Sequence, residues 1–77
     1  MDEIEIDLRG LLCPVPVTMT AERAKHLLPG QVLRLRCTDP GVREDLPLWA
    51  RMHDHVLLDV SEVGNEIHVR IRIDGTA

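Results

Sequence analysis

A chain of 77 residues leaves room for one small domain with a small core, spanning residues 1–77. Its hydrophobic content of 44% and charged content of 29% are globular proportions, which exclude a disordered tail. Trp49 is the only aromatic residue and the net charge is −4, so stacking platforms and a generally basic surface for direct nucleic-acid binding are both missing.

No apolar run approaches the ~20 residues of a membrane helix. The stretch Met1–Ile6 is acidic and alternating, unlike a signal peptide. The expected compartment is the cytoplasm, with no membrane contact. In a reducing compartment Cys13 and Cys37 are free, catalytic or inert rather than a disulfide scaffold. They are too few for a structural zinc site, and neither metal nor cofactor is expected.

Ile4, Ile6 and Leu8 alternate with Glu3, Glu5, Asp7 and Arg9, which predicts a half-buried first strand broken at Gly10. Pro14 suits the first position of a helix, because its missing N–H has no partner there anyway. Val17, Ala21, Ala24, Leu27 and Leu28 then share a face, with Thr20, Glu22, Arg23 and Lys25 off it. Pro29-Gly30 stops this helix in a type II turn. Leu33, Leu35 and Cys37 make the inner face of a second strand.

Asp39-Pro40 reads as an N-cap followed by proline at the first helical position. Val42, Leu46, Trp49 and His53 line the second helix, and Pro47 inside it predicts a kink, or a short first turn with the main helix restarting near Asp45. Val56, Leu58 and Val60 predict a third strand. Gly64-Asn65 predicts a type II′ hairpin into a fourth, carried by Ile67, Val69, Ile71 and Ile73. Residues 74–77 read as a frayed tail. The expected fold is an α/β (α+β) two-layer sandwich, β-α-β-α-β-β: a four-stranded mixed sheet with two helices on one face and charged residues on the other.

Cys13 is the sharpest chemical feature. A helix starting at Pro14 makes Cys13 its N-cap, where the helix dipole and unpaired N–H groups stabilise a thiolate. Pro14 and Pro16 delete two donors, so a moderate lowering of its pKa is expected. Arg9 is a further candidate source of positive charge. The Gly10 hinge and the flanking prolines hold the cysteine on a loop at a strand end, where α/β sheets place functional groups.

The run Asp7-Leu8-Arg9-Gly10-Leu11-Leu12-Cys13-Pro14-Val15-Pro16 resembles the Cys-Pro-x-Pro signature of the TusA/SirA-like sulfur-carrier family. Leu28-Pro29-Gly30 and the spacing of Asp39-Pro40 to Asp45-Leu46-Pro47 match two further landmarks of that family. The resemblance implies a strand order 1-2-4-3 with strand four antiparallel to the rest. It also implies sulfur relay: Cys13 takes sulfane sulfur from a donor such as a cysteine desulfurase or rhodanese, holds it as a persulfide, and passes it to an acceptor protein. Gly10, Pro14, Pro16 and Arg9 are the supporting residues. Transfer-RNA thiolation, molybdenum-cofactor sulfuration, sulfur oxidation and selenium handling are all endpoints open to such a carrier.

Cys37 shares the parity of Leu33 and Leu35, which makes it a core residue. Its functional alternative is a resolving thiol for Cys13 in a small thiol–disulfide redox protein. A further alternative is a regulatory binding module in which Cys13 is structural. His53 and His55 read as surface or boundary residues and Trp49 as core. Arg34, Arg36, His68, Arg70 and Arg72 form a stripe on the open sheet face, balanced by Glu3, Glu5, Asp7 and Asp59. The polar sheet face favours a monomer.

Overall fold

A computed structural model describes residues 3–75. The elements are β1 (Glu3–Leu8), α1 (Val15–Ala24), β2 (Val32–Cys37), α2 (Val42–Met52), β3 (Val56–Val63) and β4 (Glu66–Arg72). The sheet order is β1-β2-β4-β3. β1 pairs parallel to β2, and β4 runs antiparallel to β2 and β3. The order and directions are those the family resemblance implies.

Alternation builds the core. Leu33, Leu35, Val69 and Ile71 lie inward at 0% exposure, and Leu8 and Leu46 join them from β1 and α2. The intervening Arg34, Arg36, His68 and Arg70 emerge on the opposite face. There Arg70 bridges Glu3 and Asp59, each at 2.7 Å, across the sheet. Glu66 receives Arg36 at 3.0 Å and His68 at 2.9 Å. The basic stripe is thus interleaved with acids from both outer strands.

The turns follow their residues. Gly30 has φ +95° and sits at the third position of the turn closed by Gln31 N–H donating to the Leu28 carbonyl, at 3.2 Å. Gly64 has φ +63° and Asn65 does not share the positive sign, as a type II′ turn requires.

Three expectations are corrected. Thr20 is fully buried, because α1 turns Pro16, Thr20 and Ala24 inward. Its hydroxyl is satisfied by donating to the Pro16 carbonyl at 2.8 Å. Leu28, by contrast, lies past the helix end and is exposed. Pro47 neither breaks nor restarts α2, which runs unbroken from Val42 to Met52. β3 forms where Val56, Leu58 and Val60 predict it, with every residue exposed. It is the outer strand, and a register shift between Leu57 and Asp59 interrupts its alternation.

The histidine expectation also changes. His55 is 6% exposed and packs its ring 4.9 Å from that of Trp49. Its Nδ1 accepts the backbone N–H of Asp74 at 3.3 Å and of Gly75 at 3.2 Å. Asp74 and Gly75 are therefore tied to the body rather than frayed, while Thr76 and Ala77 lie outside the described residues. A Cβ on Gly75 would collide with the His53 carbonyl, so glycine is required for this approach.

Accepting two N–H groups at Nδ1 requires a neutral ring, and burial lowers the His55 pKa below its ordinary 6.5. The unfolded chain then takes up a proton before the folded one does. His55 contributes its full stability above about pH 6.5, and this is lost as pH falls from there toward the folded pKa. Urea midpoints at pH 7.5 and 5.5 should show this decline. His55→Asn, whose Oδ1 can accept in place of Nδ1 without titrating, should flatten it.

Candidate functional site

The loop between β1 and α1 is held by the loop between β2 and α2. Parallel pairing sets Leu8 beside Cys37, so the two chains leave the sheet at the same edge. Gly10, at φ +80°, turns the first loop and donates its N–H to Thr38 Oγ1 at 2.9 Å. Cys13 N–H donates to Asp39 Oδ2 at 2.8 Å, and Cys13 Sγ–H donates to Asp45 Oδ2 at 2.8 Å. Backbone and side chain of one cysteine are thereby fastened to two aspartates of the neighbouring βα unit.

This geometry overturns the expected activation of Cys13. The helix cap is Pro14, not Cys13, and the Cys13–Pro14 peptide is cis. The Val15 N–H is already taken by the Leu12 carbonyl at 2.9 Å. The groups that face the sulfur are carboxylates. The Asp45 hydrogen bond, available only to the protonated sulfur, raises the Cys13 pKa above the ordinary thiol value. Partial desolvation and the negative charges of Asp45 and Asp39 act in the same direction.

Arg9 does not relieve that charge. Its guanidinium pairs with Asp7 at 2.8 Å and with Glu66 at 3.5 Å, on the sheet side of the loop. Pro14 is exposed beside the cysteine, whereas Pro16 is fully buried and pins the first turn of α1 to the core. Cys37 is at 0% exposure, as its strand parity predicted. Burial, with the nearby Asp39 charge, pushes its thiol up to about 11. Both cysteines are free, one exposed and one buried.

Sequence reasoning missed Thr38, Asp39 and Asp45 as site residues. Asp39 looked like a helix cap, yet Gly41 caps α2. Asp39 reaches the Gly41 N–H only at 3.5 Å, and its other oxygen is committed to Cys13. The available signal was topological: parallel neighbours joined by helices bring consecutive βα loops together at one sheet edge.

Cys13 stands on the rim of a groove of about 360 Å³ between the two helices. Pro14, Val17, Leu48, Trp49 and Met52 supply its apolar walls, and Asp45 and His53 its polar ones. Leu12 at 72%, Met52 at 70% and Leu48 at 46% exposure extend apolar surface around the cysteine. Apolar surface gathered around an exposed thiol suits contact with another protein.

A two-layer β-α-β-α-β-β sandwich with an exposed cysteine before its first helix defines a small thiol-bearing α+β domain. The sequence matches the sulfurtransferase TusA family over residues 4–73, and the chain belongs to that family. It is 40% identical over 57 residues to the sulfur carrier protein TusA of Pseudomonas fluorescens, covering 74% of this chain and 69% of the relative. To the sulfur carrier protein TusA of Allochromatium vinosum it is 32% identical over 68 residues, covering 88% and 90%. It is also 36% identical over 72 residues to YrkF of Bacillus subtilis, covering 94% of this chain. The chain spans 39% of YrkF and 29% of a similar Aquifex aeolicus protein, so it matches one part of those longer relatives.

Asp39→Ala removes the acceptor for the Cys13 N–H and should lower the urea midpoint of unfolding. Asp39→Asn keeps a carbonyl oxygen at the same place and should recover most of the loss. Equal midpoints for the Ala variant and the parent would show that the tether adds nothing to stability.

Proposed function

We propose that the chain is a cytoplasmic sulfur carrier that accepts sulfane sulfur as a persulfide on Cys13 and relays it to a partner protein. The observation that carries this reading is the contrast between its two thiols. Cys13 is exposed on a tethered loop at the rim of an apolar groove, while Cys37 is sealed in the core. The relatives that bear the name sulfur carrier protein support it. Among the described residues no helix is long and apolar enough to cross a membrane.

The chemistry is thiol exchange at sulfur. The Cys13 thiolate attacks the outer sulfur of a donor persulfide, R–S–SH. The donor S–S bond breaks as the Cys13 S–S bond forms, and R–S⁻ leaves and takes up the proton that Cys13 gave up. R–S–SH and Cys13–SH become R–SH and Cys13–S–SH with no net oxidation, so neither redox cofactor nor metal is needed. Repeating the step with an acceptor thiolate returns Cys13 to its starting state.

Each half-reaction requires Cys13 to meet a sulfur in another protein's site. An exposed cysteine ringed by Leu12, Leu48 and Met52 can do so, and the two loop tethers reduce the entropy lost on docking. A cysteine desulfurase or a rhodanese is the donor class that fits. The acceptor lies in transfer-RNA thiolation, molybdenum-cofactor sulfuration, sulfur oxidation or selenium handling.

Incubation with a cysteine desulfurase and cysteine, or with a rhodanese and thiosulfate, should add one sulfur to the Cys13 peptide. Peptide mass spectrometry should show the addition reversed by reductant, absent from the Cys37 peptide and abolished by Cys13→Ser. No addition with any competent donor would refute the carrier reading.

A further inference from the structure

The geometry points to Asp45 as a positioning residue that holds the empty carrier's Cys13 as a hydrogen-bonded thiol turned toward α2 and lets go of it once sulfur is loaded. This rests on the persulfide reading of Cys13. Cys13 Sγ lies 2.8 Å from Asp45 Oδ2. A carboxylate has no proton of its own to give, so this contact is a hydrogen bond only while Sγ keeps its hydrogen. In a persulfide Sγ is bonded to Cβ and to the added sulfur and carries no hydrogen. The same atom pair then becomes a lone pair facing a carboxylate. The terminal sulfur, one S–S bond further out, is a stronger acid than a thiol and ionises readily. Its charge is repelled by Asp45 and by Asp39, which lies on the same side and binds the Cys13 N–H.

Loading therefore converts an attractive contact into a repulsive one without any change elsewhere in the fold. The empty thiol is held in and slow to react, and the loaded sulfur is turned out toward a partner. Asp45 is well placed to read that difference. It sits in the first turn of α2, half-buried, on a helix anchored to the core by Val42 and Leu46. The remaining titratable group on the groove is His53, the C-cap of α2, and the α1 side contributes only the cap residue Pro14 and Val17 to it. Arg9 is engaged with Asp7 and Glu66, so no cation from the loop competes for Asp45.

The test uses the empty protein and a small alkylating agent. The pH–rate profile of Cys13 alkylation by iodoacetamide should move to lower pH in Asp45→Asn, with circular dichroism unchanged. Each unit of downward shift raises the thiolate fraction at neutral pH about tenfold. Because a more acidic thiol is a poorer nucleophile, the rate should rise about threefold per unit. A folded Asp45→Asn variant whose profile superimposes on the parent's would overturn the proposal.

A second measurement needs no Asp45 variant. Methyl methanethiosulfonate caps Cys13 as Cys13–S–S–CH₃ with loss of methanesulfinate, leaving Sγ without a proton as in the loaded carrier. The Asp45 carboxyl carbon resonance should move on capping, and in the same direction in Cys13→Ala. A resonance that ignores both changes would also overturn the proposal. Neither measurement uses a persulfide donor, so failure of sulfur to load would count against the carrier reading alone.

Discussion

The site depends on the parallel pairing of β1 with β2. That pairing sets Leu8 beside Cys37 and sends the next residues of both strands off the same sheet edge. Three hydrogen bonds then join the first loop to the second loop and to α2: Gly10 to Thr38, Cys13 to Asp39 and Cys13 to Asp45. A cysteine on a free loop would sample many positions. Here one βα unit presents it and the next one holds it, each resting on helices packed against Leu33, Leu35 and Leu46.

The tether has an electrostatic cost that shapes the chemistry. Helix dipoles and cations are the usual means of activating a cysteine, and here carboxylates set the balance instead. Pro14 caps the helix, Arg9 turns to Asp7 and Glu66, and two carboxylates face the sulfur. The resting thiol is held above its ordinary pKa. In the proposed relay this is an advantage, because an empty carrier that reacts slowly with stray electrophiles stays available for its donor. Cys37 is kept inert differently, chiefly by burial among core side chains, with the Asp39 charge acting in the same direction.

Much of the fold was legible in residue spacing. The alternation of β1, β2 and β4, the Pro29-Gly30 and Gly64-Asn65 turns and the apolar stripe of α2 are local patterns whose period is set by backbone geometry. Cys13 was legible because glycine and prolines bracket it. The partners of Cys13 were not, since Asp39 and Asp45 lie 26 and 32 residues away and their sequence signature is that of a helix start. The Cys13 pKa was misjudged for the same reason. Local reasoning sees the helix end but not the carboxylates delivered from the next unit. Thr20 and His55 were misread where packing overrode pattern. Thr20 satisfies its hydroxyl internally, and His55 is covered by the segment at Asp74 and Gly75.

In the proposed relay Cys13 carries sulfur outward and does not resolve against Cys37. The most direct measurement follows the discharge half of the cycle. Protein loaded with one sulfur, freed of donor, is mixed with an excess of a second thiol protein and its intact mass is followed in time. The account predicts that the mass falls by one sulfur to that of the starting dithiol, with the sulfur recovered on the acceptor. A final mass two hydrogens below the starting dithiol, with a Cys13–Cys37 cross-link in the peptide map, would contradict it and identify a thiol–disulfide redox protein.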